Sequence, residues 1–278
     1  ITDETVYRQR RQLLAAFGVT LVASGWWVAV VELWPADSRP YIGGSQTNSV
    51  VELLLGYNGL GRITGDETGS VVAGGTPQAG AWGETGLTRL FTSSYGGQIA
   101  WLLPAALILL VVLLVLSARA RRTDRMRAAA IIWGGWLVVT ALVISLSQGI
   151  IHEYYTVALA PAIGALVGIG AMALWARRDD VAARAMLAST LVVTGSVAWL
   201  LLSRSADFLP WLRILVLGGS LALAAALLAL PLLSRRVVAA VGIGALLVAL
   251  AGPTAYAVQT ALTPHSGSLP TAGPTVAS

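Results

Sequence analysis

The sequence contains no cysteine and no lysine, and only 11% of its 278 residues are charged. Without cysteine, the chain can form neither a disulfide nor a thiolate metal site. Without lysine, it cannot contain the Gly-Lys-Ser/Thr loop by which many NTPases hold phosphate. Apolar residues are abundant instead: 56% of the chain is hydrophobic and the mean hydropathy is +0.75. Because soluble domains are far more polar, the composition predicts an integral membrane protein.

Seven charge-free stretches are long enough to cross about 30 Å of hydrocarbon, which takes about 20 helical residues. They cover residues 12–31, 98–118, 128–151, 154–176, 185–203, 214–234 and 237–264. Only helices or closed barrels satisfy their backbone groups in lipid, and these stretches lack the alternation of barrel strands. The sequence therefore predicts an all-α polytopic membrane protein with about seven transmembrane helices.

All eighteen basic residues are arginines, and thirteen of them fall beside alternate ends of these stretches. The thirteen are Arg8, Arg10, Arg11, Arg119, Arg121, Arg122, Arg125, Arg127, Arg177, Arg178, Arg184, Arg235 and Arg236. Since positive charge concentrates in cytoplasmic turns, we expect a cytoplasmic N-terminus and an extracytoplasmic C-terminus. The net charge of +5 thus reflects membrane topology and does not indicate a nucleic-acid partner.

The predicted domain organisation has a helical bundle at 1–264, with one long external loop at 32–97, and an external tail or linker at 265–278. The tail is rich in Pro, Gly, Ser and Thr, which is typical of a linker. The chain begins with Ile and opens like a linker that follows an earlier element, so we expect further sequence beyond each end.

Within the external loop, the run "NSVVELLLGYNGLGRI" predicts a short interfacial helix with Asn48 as its N-cap and Glu52 in its first turns. The glycines beside Arg62 let a backbone approach a ligand closely, or they only shape turns. No strand precedes them, so a dinucleotide-binding loop is excluded. Further along, Trp82 and Phe91 are candidate surface anchors, and Arg89 is a candidate ligand contact.

Four polar residues lie together at the external end of the third and fourth stretches: His152 and Glu153 occupy the turn, and Tyr154 and Tyr155 begin the fourth stretch. Two packed helices would hold them rigidly at the outer surface, which suits a binding site. The alternative is that Tyr154 and Tyr155 belong to the interfacial aromatic belt and that His152 is a solvated turn residue. A metal site is disfavoured, because His265 is the only other histidine.

Several segments together resemble the second half of actinobacterial membrane glycosyltransferases of family 39, the relatives of protein mannosyltransferases and of the lipid A aminoarabinose transferase. They are "SGWWVAVVELWPADSRPYIGGSQTNSVVELLLGYNGLGRITGDETGSV", "WGETGLTRLF", "GGQIAWLLPAALILL", "IHEYYTVALAPAIGALVGIGA" and "AGPTAYAVQTALTPHSGSLPTAGP". The resemblance covers nearly the whole chain, in the same order of segments.

This resemblance implies a GT-C fold in the plasma membrane, with a polyprenyl-phosphate-linked sugar as donor and an unknown extracytoplasmic acceptor. It places the catalytic Asp in an earlier external loop, so no catalytic residue is expected among these 278. A divalent cation is possible and no other cofactor is expected. The family motif at the turn reads His, a variable residue, then Tyr-Tyr. We therefore predict His152, Tyr154, Tyr155, Arg89 and Arg62 as donor-phosphate contacts and leave out Glu153.

Two other classes of protein compete with this interpretation. A transporter would show broken helices with ionisable residues at mid-membrane and internal repeats, and the sequence shows neither charges in its spans nor a repeat. A non-catalytic membrane scaffold or partner subunit of a larger complex stays open as the alternative.

Overall fold

The structure, a computed structural model, describes residues 3–66, 83–264 and 271–276, and every regular element in those ranges is helical. Six helices there are long and apolar enough to cross a membrane, or seven if a bent pair forms one span. The predicted all-α polytopic fold is thus confirmed. The α-helices are α1 (Asp3–Leu33), α2 (Val50–Leu55), α3 (Gly61–Thr64), α4 (Ser93–Ile99), α5 (Leu103–Ser117), α6 (Arg125–Leu146), α7 (Ala160–Trp175), α8 (Val181–Ser203), α9 (Pro210–Leu228) and α10 (Arg235–Leu262).

The predicted second span, residues 98–118, is not one continuous helix: it contains the end of α4 and the whole of α5, which meet at a bend of 58° and form one span only as a bent pair. Pro104 lies in the first turn of α5 and has no N–H to donate to the Ala100 carbonyl, so the helical hydrogen bonds of α4 stop there. The Trp101 indole donates to the Gly97 carbonyl at 2.8 Å. With 15 residues, α5 alone measures about 22 Å and is shorter than the hydrocarbon layer.

Two other predicted spans end too late. The third, residues 128–151, stops as α6 at Leu146, because the N–H groups of Gln148 and Gly149 donate to carbonyls of α3 and not to α6. The sixth, residues 214–234, is α9 and stops at Leu228. Pro231 follows within a short 3-10 turn, where its missing N–H prevents an α-helix from continuing.

The chain forms two compact units. The first contains Ile1–Gly83 and Ser147–Ile151, and the second contains Glu84–Leu146 and His152–Ser278. Although His152 and Ile151 are neighbours in sequence, they belong to different units.

In the first unit, the start of α2 is held by carboxylates. The Glu32 carboxylate, in the last turn of α1, accepts hydrogen bonds from the Ser49 hydroxyl at 2.8 Å and from the Val50 N–H at 3.0 Å. The Glu52 carboxylate accepts from the Thr47 hydroxyl at 2.7 Å and from two backbone N–H groups at 2.9 Å. The Thr47 hydroxyl and these N–H groups lower the pKa of Glu52, since they stabilise the ionised form.

The predicted helix in this loop is confirmed, but its N-cap is not Asn48. Ser49 caps α2, with its hydroxyl accepting from the Glu52 N–H at 3.1 Å. Asn48 has a φ of 56°, and its side-chain oxygen accepts from the Ile42 N–H at 2.6 Å. Asparagine is one of the few residues that adopt this left-handed conformation readily, so Asn48 turns the chain into the helix.

In the second unit, helices approach closely at small residues. A Cβ atom at Gly195 in α8 would overlap the Ser220 side chain of α9, so this glycine sets the spacing of the two helices. A Cβ atom at Gly252 in α10 would lie 2.5 Å from the Trp101 ring. That ring packs edge-on against Tyr256 with centroids 4.7 Å apart, at the centre of a buried cluster.

Arginine side chains satisfy backbone carbonyls where helices stop. Arg204, at the C-terminus of α8, donates to the carbonyls of Phe91 and Thr92 at 2.6 and 2.7 Å. Arg127 donates to the Ala120 carbonyl at 3.0 Å. Arg184 reaches two carbonyls in the turn between α7 and α8 in the same way. Such charge-assisted hydrogen bonds add to or replace the backbone partners of these carbonyls; the Thr92 carbonyl also accepts from the Gly96 N–H at 2.9 Å.

We expect Arg204→Gln to lower the thermal unfolding midpoint, because the Phe91 and Thr92 carbonyls lose charge-assisted hydrogen bonds worth about 1.5–3 kcal/mol each, although the Thr92 carbonyl still accepts from the Gly96 N–H at 2.9 Å. Arg177→Gln is the matched control, since Arg177 is exposed and donates to an Ala173 carbonyl that already lies in a helix. Unfolding monitored by tryptophan fluorescence in detergent measures both. Equal midpoints for the two variants would show that the Arg204 contact does not stabilise the fold.

The predicted orientation can be tested with introduced cysteines, since the chain has none of its own. Thr123 is exposed in the turn between α5 and α6, and Ala206 is exposed between α8 and α9. In intact cells, we expect a membrane-impermeant maleimide to label Ala206→Cys at once and Thr123→Cys only after permeabilisation. The reverse pattern would show that the arginine-rich turns face outward.

Candidate functional site

The turn before α7 is a 3-10 helix, Glu153–Leu159, that begins directly after His152. The Tyr155 N–H donates to the His152 carbonyl at 3.0 Å, and the Thr156 hydroxyl donates to the Glu153 carbonyl at 2.7 Å. Pro161, in the first turn of α7, lacks the N–H that an α-helix would direct at this turn. The tighter helix that results places neighbouring side chains close together.

Three of the predicted site residues form one group of rings, here termed the ring cluster: His152, Tyr154 and Tyr155. The His152 ring stacks on Tyr154 with centroids 5.5 Å apart and meets Tyr155 edge-on at 5.5 Å. The two tyrosines meet edge-on at 4.8 Å. Tyr154 and Tyr155 are 37% and 39% exposed, so the cluster is accessible while its rings restrict one another.

Arg89 is buried, with 2% of its surface exposed. Its guanidinium donates to the Ile144 carbonyl at 3.0 Å, in the last turn of α6. The Gly86 N–H donates to the next carbonyl, that of Ser145, at 2.8 Å. The segment that contains Arg89 therefore caps the C-terminus of α6. A positive charge there also interacts favourably with the negative end of the helix dipole.

Tyr95, which sequence reasoning missed, lies between Arg89 and the turn. The Arg89 guanidinium carbon is 5.7 Å from the centroid of the buried Tyr95 ring. The Tyr95 hydroxyl is also within electrostatic range of the Glu153 carboxylate. In the sequence, the tyrosine of "SSYGGQ" cannot be told from an ordinary interfacial tyrosine. Only the packing of α4 on the 3-10 turn shows that Tyr95 lies beside the predicted site residues.

Arg62 belongs to the first unit. It donates to the Ile150 carbonyl at 3.2 Å, and its guanidinium lies over the Tyr57 ring at 4.4 Å from the centroid. Its side chain is half-buried, and these contacts hold it against its own unit.

The glycines before Arg62 accommodate the chain itself. A Cβ atom at Gly61 would lie 2.6 Å from two backbone carbonyl oxygens, and one at Gly59 would overlap the Leu54 carbonyl. Gly65 ends α3 with a φ of 83°. Of the two interpretations of this pattern, the one in which glycines shape turns accounts for these three positions.

The described ranges contain no group of three or more His, Cys, Asp or Glu residues that could hold a metal ion. His265 and the predicted anchor Trp82 lie outside the described residues. The other predicted anchor, Phe91, is partly buried against the cluster that contains Trp101. Participation of a divalent cation stays a prediction.

Comparison with known proteins gives two relatives, both from Bacillus subtilis (strain 168). The sequence is 28% identical over 256 residues to "Putative mannosyltransferase YkcB", covering 62% of this chain and 36% of the relative. It is 29% identical over 219 residues to "Putative mannosyltransferase YycA", covering 52% of this chain and 32% of the relative. The chain thus spans about a third of the length of these curated relatives.

No family model matches the sequence, and no solved structure matches it significantly. The two relatives therefore carry the comparison. The six or seven apolar helices of the described residues support a multi-pass membrane protein.

Proposed function

We propose that this chain is part of an integral-membrane glycosyltransferase that moves a sugar from a polyprenyl-phosphate donor to an extracytoplasmic acceptor. The single observation that carries the proposal is the ring cluster, whose three side chains are in mutual contact and accessible at the junction before α7. Because both relatives are named as mannosyltransferases, we propose mannose as the sugar.

In the reaction, an acceptor hydroxyl forms a bond to the anomeric carbon of the donor sugar. The bond from that carbon to the phosphate oxygen breaks, and its electron pair stays on the lipid phosphate. Groups that stabilise the growing phosphate charge lower the barrier, since they act more strongly in the transition state than on the bound donor. The proton of the acceptor hydroxyl passes to a base, and we assign no residue of this chain to that role.

His152, Tyr154 and Tyr155 supply the hydrogen-bond donors for that phosphate. An imidazole N–H and a phenol O–H both donate to phosphate oxygens, and contacts between rigid rings reduce the ordering cost of binding. The aromatic faces also suit a lipid headgroup region, where tyrosine is favoured. We propose that the ring cluster is the wall of the donor-phosphate site.

The two predicted arginines enter the proposal differently. Arg89 is held by the end of α6, so we propose that it positions the segment before α4 and leaves the phosphate contact to the rings. Arg62 is half-buried over Tyr57, and we retain it as a candidate phosphate contact in the first unit. Its bidentate guanidinium is suited to phosphate.

We expect His152→Ala and Tyr155→Phe to reduce transfer from polyprenyl-phosphate mannose by about 10- to 100-fold, the effect of one lost hydrogen bond to a charged group. The measurement is kcat and KM for full-length protein reconstituted in liposomes, with polyprenyl-phosphate glucose as a second donor. Tyr41→Phe is the matched control, because Tyr41 is 79% exposed and lies outside the ring cluster.

Unchanged kcat and donor KM in both variants would remove the ring cluster from the donor site. Absence of transfer by the unmodified protein, with activity restored only by a second protein, would favour the scaffold alternative. Faster transfer of glucose than of mannose would contradict the proposed sugar and leave the proposed site intact.

A further inference from the structure

A pocket of about 480 Å³ lies in the second unit, beside the 3-10 turn that contains Tyr154 and Tyr155. Most of the side chains that line it are polar. Its walls come from α4, the turn residue Glu153, the end of α10 and the C-terminal segment 271–276. The side chains that matter here are Gln98, Glu153, Gln259 and Thr263. This polar pocket has the volume of small-molecule sites, about 300–1,000 Å³.

The C-terminal segment forms a fixed wall of the polar pocket. The Ala272 N–H donates to the Gln98 side-chain oxygen at 3.0 Å, and the Gly273 N–H donates to the Thr260 hydroxyl at 2.7 Å. The Ser205 hydroxyl donates to the Thr275 carbonyl at 3.2 Å. Hydrogen bonds to α4, to α10 and to the end of α8 thus hold this short segment in place.

The lining favours a neutral ligand rich in hydroxyl groups. Among the described residues, it combines two side-chain amides, one carboxylate and several hydroxyls, with no arginine and no histidine. The negative charge of Glu153 disfavours an anion, whereas carboxylates and amides accept hydrogen bonds from sugar hydroxyls.

One acceptor in the polar pocket has no donor. The Gln259 side-chain oxygen is buried and accepts no hydrogen bond from the described part of the chain, while its amide nitrogen donates to the Thr263 hydroxyl at 3.0 Å. Buried polar atoms normally have partners, so this oxygen points to a ligand that donates a hydrogen bond.

From these observations we propose that the polar pocket binds a neutral sugar unit, with Gln259 and Glu153 accepting hydrogen bonds from its hydroxyls. Glu153 lies between His152 and Tyr154 in sequence, so the sugar would sit next to the donor-phosphate wall. Binding of a sugar is inferred from the pocket itself. That this sugar is a substrate rests on the proposed transferase function. The sugar is either the donor's own unit or the acceptor's, and the two sources share the same chemistry.

We expect full-length protein in lipid nanodiscs to bind methyl α-D-mannopyranoside saturably by saturation-transfer NMR. Glu153→Gln and Gln259→Leu should each raise the Kd for the mannoside by about 3- to 10-fold, the effect of one neutral hydrogen bond. Gln46→Leu is the matched control, since Gln46 is exposed in the first unit. Thermal midpoints check that each variant is folded, since Gln259→Leu removes the hydrogen bond to the Thr263 hydroxyl together with the unpaired oxygen.

A second titration distinguishes the two sources of the sugar. If the pocket holds the donor's sugar, both variants will weaken binding of citronellyl phosphoryl mannose as well. If it holds the acceptor's sugar, binding of that donor analogue will be unchanged while binding of the mannoside weakens.

Several results would overturn the proposal. They are the absence of saturable mannoside binding, a Kd in the folded Glu153→Gln and Gln259→Leu proteins equal to that of the unmodified protein, or a loss of affinity in Gln46→Leu as large as in these two variants. These readouts need no transfer, so they are independent of the His152 and Tyr155 experiment.

Discussion

Backbone carbonyl groups that lose their helical partners are the main constraint on this protein, because an apolar environment offers them no water. Regular helices meet the constraint along most of the chain. Where helices stop, arginine side chains supply the missing donors: Arg204 at the 3-10 turn before α4, Arg89 at the end of α6 and Arg184 after α7. The same residue type that indicates topology in the sequence therefore also stabilises the helix ends.

This arrangement explains why the candidate site lies at a junction. Arg89 and the Gly86 N–H, which lie outside α6 in sequence, donate to its last carbonyls. The chain can therefore leave the helix at Leu146 and form a 3-10 turn before α7. That turn places His152, Tyr154 and Tyr155 in mutual contact, while Glu153 lines the polar pocket. Aromatic hydrogen-bond donors and an acidic, hydroxyl-lined pocket are complementary to the two halves of a sugar phosphate, one anionic and one neutral.

The chain spans about a third of the length of its two relatives. The functional groups of its second unit are suited to holding a ligand, and no carboxylate is assigned to proton transfer. Under the proposed function such a division is physically reasonable, because donor binding and charge stabilisation need fixed hydrogen bonds, whereas proton transfer needs one separately positioned base.

The sequence alone determined the membrane class, the helical fold and, to within a few residues, most spans, because continuous apolar runs in lipid leave the backbone few alternatives. It also predicted His152, Tyr154 and Tyr155 as one group, since they are close in sequence, and their rings contact one another; their role in donor binding stays a prediction. It did not reveal the bend at Pro104, the cap at Ser49, the buried position of Arg89 or the pocket formed by Gln98, Gln259 and residues 271–276. These features depend on contacts between distant segments, and only the tertiary structure decided which donors and acceptors meet.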